Sequence, residues 1–133
     1  MSAAGGETVL SRLLAGLDPE LHDEPRAIRA LTAGEVAPSD AIMRFREAEG
    51  VTVIVAAGAH DESHWAQITC RVHSSLEAVG MMAAIATALA RDGIACNVVS
   101  ALHHDHLFVP WARRHEALRV LKTLAANVAE RAA

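Results

Sequence analysis

The chain has 133 residues, with 12 basic and 16 acidic side chains and a net charge of −4 when histidine is neutral. At 52% hydrophobic and 21% charged residues it is long and apolar enough for one domain, or two small ones on a shared core, and disorder is excluded. Aromatic residues make up only 3%, which with the acidic balance excludes base-stacking nucleic-acid surfaces, aromatic cages and Tyr-rich binding loops.

Alanine fills 28 positions and Lys122 is the single lysine. The core must therefore rest on Ala, Val, Leu and Ile, and the scattered arginines mark no phosphate-binding patch. Residues 1–6 read as a frayed tail without the basic and apolar regions of a signal peptide. No apolar run approaches the roughly 20 residues of a membrane span. A cytoplasmic protein is expected, with no membrane or nucleic-acid partner. Cys70 and Cys96 lie in apolar runs, as reduced buried thiols do.

Leu10, Leu13, Leu14 and Leu17 predict a helix over 7–17, stopped at Asp18-Pro19. A weak strand follows over 26–31 and a loop over 32–40. Residues 41–48 fit either a short helix or the first strand of a hairpin, and the hairpin is favoured: 42–47 pairing with 51–56, with Gly50 at the position that needs positive φ. The β-branched run 51–55 makes the second strand secure.

Alternation is clearest over 66–73, where Ile68, Cys70 and Val72 face one way and Gln67, Thr69, Arg71 and His73 the other. One core face and one wet face are expected. Ser74-Ser75 reads as the cap of a helix running to about Asp92, with Leu76, Val79, Ala83, Ala86 and Ala90 as its buried stripe, widened by Met82, Ile85 and Leu89. Glu77, Met81, Ala84, Ala88 and Arg91 form the opposite, mostly small-residue face, which suits either close packing by a second subunit or bare solvent. A strand over 94–102, a turn at His103-His104, a returning strand over 105–109 and an amphipathic helix over 113–131 complete the chain. That last helix has Ala117, Leu118, Leu121, Leu124, Ala125 and Val128 on its apolar side.

The second half therefore reads β-α-β-β-α, the split βαβ of ferredoxin-like folds, with the strand at 105–109 between the other two. The expected fold is α+β: a two-layer sandwich with an antiparallel or mixed sheet and helices on one face. His73, Ser74, Ser75, His103, His104, Asp105 and His106 should then converge at one sheet edge beside a helix start. The expected organisation is an N-terminal helix with a degenerate β segment over 1–60, and a β-α-β-β-α unit over 61–133, on one core.

Residues 71–110, with the Gly93-Ile-Ala-Cys-Asn97 turn and a returning strand ending in Val109, resemble an ACT domain. Leu17-Asp-Pro-Glu-Leu-His22 and Phe45-Arg-Glu-Ala-Glu-Gly-Val-Thr-Val-Ile-Val55 are similar to segments of small stand-alone bacterial ACT-like proteins. The resemblance spans about residues 10 to 125 and departs at 23–40, where Arg26-Ala-Ile-Arg-Ala-Leu31 replaces an aromatic strand. It implies a non-catalytic regulatory module that binds an amino acid or similar small acid, acts as a homodimer and needs no cofactor. The binding residues so implied are His73, Ser74, Ser75, Leu76, Val79, Gly80, Asn97, His104 and His106.

Two other readings stay open. One is a His-rich metal-binding or hydrolytic protein with His73, His104 and His106 as weak ligand candidates; along a strand only His104 and His106 share a side. The other is a purely structural dimerisation domain. Trp111 is read as a staple of the last helix on the sheet, or as a wall of the site. Neither cysteine has an activating neighbour in sequence, and no phosphate loop or paired catalytic carboxylates occur.

Overall fold

A computed structural model describes residues 6–132. Helix α1 (Leu10–Ala15) leads through Asp18, whose φ is +45°, into the twelve-residue strand β1 (Pro19–Ala30). The hairpin β2 (Met43–Glu47) and β3 (Gly50–Ala56) follows, then β4 (Trp65–Cys70) and α2 (Met81–Arg91). The chain ends with β5 (Asn97–Ser100), β6 (Asp105–Pro110), a 3-10 turn at Trp111–Arg113 and α3 (Arg114–Ala132). One six-stranded sheet runs in the order β2-β3-β1-β4-β6-β5, every neighbouring pair antiparallel.

The order β1-β4-β6-β5 explains how the second half closes. A β-α-β-β-α-β unit sets its last strand beside its first. Among the described residues that edge of β4 is taken by β1, from the N-terminal end. The fold is the expected two-layer α+β sandwich with helices on one face. Leu13, Leu14 and Leu17 join Met81, Ile85, Leu89, Ala117 and Leu121 over Ala66, Ile68, Leu107 and Val109. A second cluster of Ala27, Val53 and Val55 lies farther along the sheet, under Ala37 and Ala41 of the 32–42 loop.

The hairpin at 43–56 forms as expected, its turn at Ala48-Glu49 closed by Gly50 at φ +145°. The apolar stripe of α3 is also as expected, centred on Ala117 and Leu121. Several expectations are corrected. The weak strand at 26–31 is the far end of β1; the missed part holds Pro19, Pro25 and the acidic pair Asp23-Glu24. The ladder with β4 shifts register between Leu21 and Pro25, the kind of bulge where a strand proline is tolerated. The first helix is shorter than 7–17 because Glu7 pairs with Ser74 in a parallel bridge.

Third, α2 starts at Met81, six residues after the serines. Gly80 sits at φ +100°, outside the helical region, and a Cβ there would come within 3.3 Å of the Leu10 side chain. The Ser75 hydroxyl accepts from the Glu77 N–H at 3.1 Å, holding a local turn instead of a helix cap. With Leu76 and Val79 outside the helix, its core stripe is Met81-Ile85-Leu89: Ile85 and Leu89 are buried as expected, Met81 moves in from the face expected to lie opposite, and Ala83, Ala86 and Ala90 face outward. The strand at 94–102 likewise shrinks to β5, though Ile94 stays buried.

Fourth, β4 is buried on both sides: Gln67 and Thr69, on the side expected to be wet, are 7% and 6% exposed. The bulge and the right-handed twist of six strands curl the sheet, bringing Ile42, Met43 and Ile54 of the hairpin region over Gln67, Val99 and Phe108. Phe108, 2% exposed, fills that second core. Phe108→Ala is expected to destabilise the protein by about 3–5 kcal/mol, read from the urea midpoint. A loss below about 0.5 kcal/mol, typical of a surface position, would show that this face is solvated.

Candidate functional site

The register of the sheet sorts the candidate residues onto two faces. Cys70, Asp105 and Ser100 are paired across β4, β6 and β5, and Cys70 lies in the helix-side core. Their face opens at the sheet end into a cleft of about 170 Å³. The loop after β4 supplies Ser74, Ser75, Leu76 and Gly80; the first turn of α2 supplies Met81, Met82 and Ala83. Ser100, Ala101 and Asp105 close it from β5 and β6.

This cleft has a positive end and a negative end. No side chain caps α2, and no acidic residue lies in its first turn. Its first N–H groups therefore lack intrahelical partners and carry the positive end of the helix dipole. Asp105 is only 7% exposed, with Ser74 Oγ donating to its Oδ2 at 3.4 Å. The segment carrying the two serines is held from behind: Glu7 N–H donates to His73 O at 2.8 Å, and Ser75 N–H to Glu7 O at 2.9 Å. Gly6 lies so close there that a Cβ would meet the backbone of Ser75 at 2.5 Å.

The expected convergence at the sheet edge is thus formed by Ser74, Ser75 and Asp105; the imidazoles of His73, His103 and His104 cluster with one another outside the cleft lining, His104 lying 6.4 Å from His106. Ring centroids of His73 and His103 are 5.3 Å apart, and His104 lies 6.5 Å from His73 and 6.3 Å from His103. His73 Nε2 is buried without a partner. Among the described residues no three His, Cys, Asp or Glu side chains are arranged to hold a metal ion.

Five expected residues, His73 and His104 among them, are placed apart from the cleft lining. Val79, in the same loop, is 81% exposed. Asn97 pairs with Phe108 at the far end of β5, on the opposite face from Asp105. His106 shares that opposite face. Its Nδ1 lies 2.9 Å from Thr69 Oγ1, which in turn lies 2.7 Å from His22 Nε2. Trp111 packs against the helix-side core, with the Arg114 guanidinium 3.9 Å above its ring. It sits at the other end of β6 from the cleft, so it staples and does not wall the site. Met82, Ala83, Ser100 and Ala101 were not legible as site residues; they line the cleft through position, without a chemical signature in the sequence.

Both thiols are held protonated. Burial, with the Asp105 charge adding to it, pushes Cys70 up to about 12, and burial pushes Cys96 up to about 11. No helix of the described residues is long and apolar enough to cross a membrane.

An antiparallel sheet with helices on one face, and a loop-to-helix cleft at the end of its central strands, defines a ferredoxin-like α+β sandwich. Sequence profiles of the ACT domain match at two places, residues 62–123 and residues 5–67. The chain belongs to the ACT domain superfamily. A Vibrio cholerae protein of unknown function, described as a possible transport protein, is 37% identical to it. That match covers 84% of this chain and 92% of the other, with a TM-score of 0.71. An Agobacterium tumefaciens protein shares the fold at 17% identity and a TM-score of 0.66, covering 80% of this chain and 87% of its own. No curated protein is significantly similar.

Two outcomes follow from the protonation states. At about pH 8 a thiol reagent is expected to label Cys96 slowly and Cys70 more slowly still, with both labelled rapidly in denaturant; fast native labelling of Cys70 would contradict its burial. The His106 imidazole is held below its ordinary value, first by burial, then by the neighbouring His104 and His22, against a smaller opposing pull from Asp105. The unfolded chain thus binds this proton more readily than the folded one. Stability from this group rises with pH through the ordinary imidazole range, around 6.5, and is lost on acidification. His106→Gln is expected to flatten that part of the stability-pH curve measured by urea unfolding; an unchanged curve would contradict it.

Proposed function

We propose that this protein is a non-catalytic regulatory module that binds a small α-amino acid in the cleft between the 74–80 loop, α2 and Asp105. The observation that carries this is the polarity of the cleft. A zwitterion presents a carboxylate to the uncapped N–H groups at the start of α2, as anions do at helix N-termini, and an ammonium to the buried Asp105 carboxylate. A simple acid would use one end only and leave Asp105 facing its negative charge. A cavity of about 150 Å³ takes a benzene-sized ligand, so the cleft of about 170 Å³ fits glycine, alanine or serine.

Superfamily membership supports a regulatory role. In this reading the chain acts in the cytoplasm as a homodimer, without nucleic acid, membrane or cofactor. Residues 1–60 and 61–133 are two ACT-like units on one core. The exposed Leu76 and Val79 beside the cleft are the apolar surface offered to the second copy.

Thermal unfolding with each of the twenty amino acids, and with 2-keto acids for comparison, tests this directly. A ligand at about a hundredfold over its Kd stabilises by about 2.7 kcal/mol, which raises the Tm of a chain this size by roughly 8–15 °C. Asp105→Asn is expected to abolish the response to amino acids. A full panel without a shift, or an undiminished shift in Asp105→Asn, would overturn the proposal.

A further inference from the structure

The curl of the sheet shapes a second, half-open cavity of about 140 Å³, on the face opposite the helices and the cleft. Ile42, Met43 and Ile54 wall it from the hairpin side, Val99 and Phe108 from β5 and β6. Its polar lining is Gln67 and His106. Gln67 is 7% exposed, and its Oε1 is buried without a hydrogen-bond partner, while its Nε2 lies 3.3 Å from His106 Nδ1.

An unpaired buried amide oxygen is costly, about 1–3 kcal/mol. Turning the amide over does not remove the cost, because His106 Nδ1 then faces the oxygen and the NH2 group is left over. His106 and Thr69 are committed to each other, and His22 completes the chain behind them. In the orientation the structure gives, the group left over in this cavity is one acceptor among apolar walls. The terminal torsion of glutamine is soft, so a small rotation presents Oε1 to a bound molecule.

We propose that the cavity between the β2–β3 hairpin and the outer face of β4-β6-β5 is a second small-molecule site, for a compact neutral ligand with an apolar body and one hydroxyl donor to Gln67 Oε1. Its volume matches the roughly 150 Å³ that accepts benzene, so a phenol is the fitting probe. Charged ligands are disfavoured, since no carboxylate, lysine or arginine lines the walls and burial disfavours the charged form of His106. The site stands independently of the amino-acid cleft, and either can fail without the other.

The test is a titration of the full chain with phenol, followed by amide NMR. Saturable shifts are expected at Met43, Ile54, Val99 and Phe108 at millimolar phenol. Gln67→Leu is expected to bind phenol about fivefold more weakly, the worth of one hydrogen bond, while fluorobenzene, which lacks the donor, keeps its affinity. Val99→Phe fills the cavity from the half-buried β5 and is expected to abolish phenol binding, whether or not Gln67→Leu folds. The inference is overturned if no saturable shift occurs at these residues, as when water alone occupies the cavity. It is equally overturned if Val99→Phe binds as the wild type does, or if folded Gln67→Leu keeps full affinity for phenol.

Discussion

The structure depends on the edge of β4 that β1 occupies. β4 is the central strand of the second half, and without a neighbour on that side its backbone donors and acceptors would be left unpaired inside the sandwich. β1 supplies them from the other end of the sequence, then continues past the bulge to pair with β3. One strand thus carries the hydrogen bonding of both halves. The register shift between Leu21 and Pro25 is what lets it do so while bending.

From that bend follow the two faces and their chemistry. The helix side is closed by Leu, Ile, Met and Ala, and its cleft lies where β4 ends and the chain must cross to α2. The other side is closed by the curl itself. Burying Gln67, Thr69 and His106 there requires that they satisfy one another, and the His22–Thr69–His106–Gln67 chain nearly succeeds. Buried polar groups are normally all paired, so the single oxygen left over is the departure from that rule.

Much of this was legible in the sequence where a local signal matched a tertiary role. The β-branched run at 51–55, the alternation over 66–70 and the stripe of the last helix each encode burial directly. β1 was largely hidden because its prolines and acidic pair oppose strand propensity, and only the free edge of β4 explains why they are extended. The start of α2 was misplaced because serines followed by Leu76 and Val79 imitate a cap and a stripe, while the left-handed Gly80 decides otherwise. Alternation at Gln67 and Thr69 showed which residues share a face but not that the hairpin would cover it. In the site, Ser74, Ser75 and Gly80 were legible from the loop-to-helix pattern. Ser100 and Ala101 were not, since they contribute through where the chain passes.

A curled sheet that does not close into a barrel keeps two free margins, and this one finishes them in different ways. β5 has only four residues, too few to template a long added strand. β2 presents Arg44, Arg46 and Glu47, all exposed, and charge along a margin discourages pairing with a stranger's backbone. The protein is thereby protected against sheet-to-sheet polymerisation at one margin by brevity and at the other by hydration.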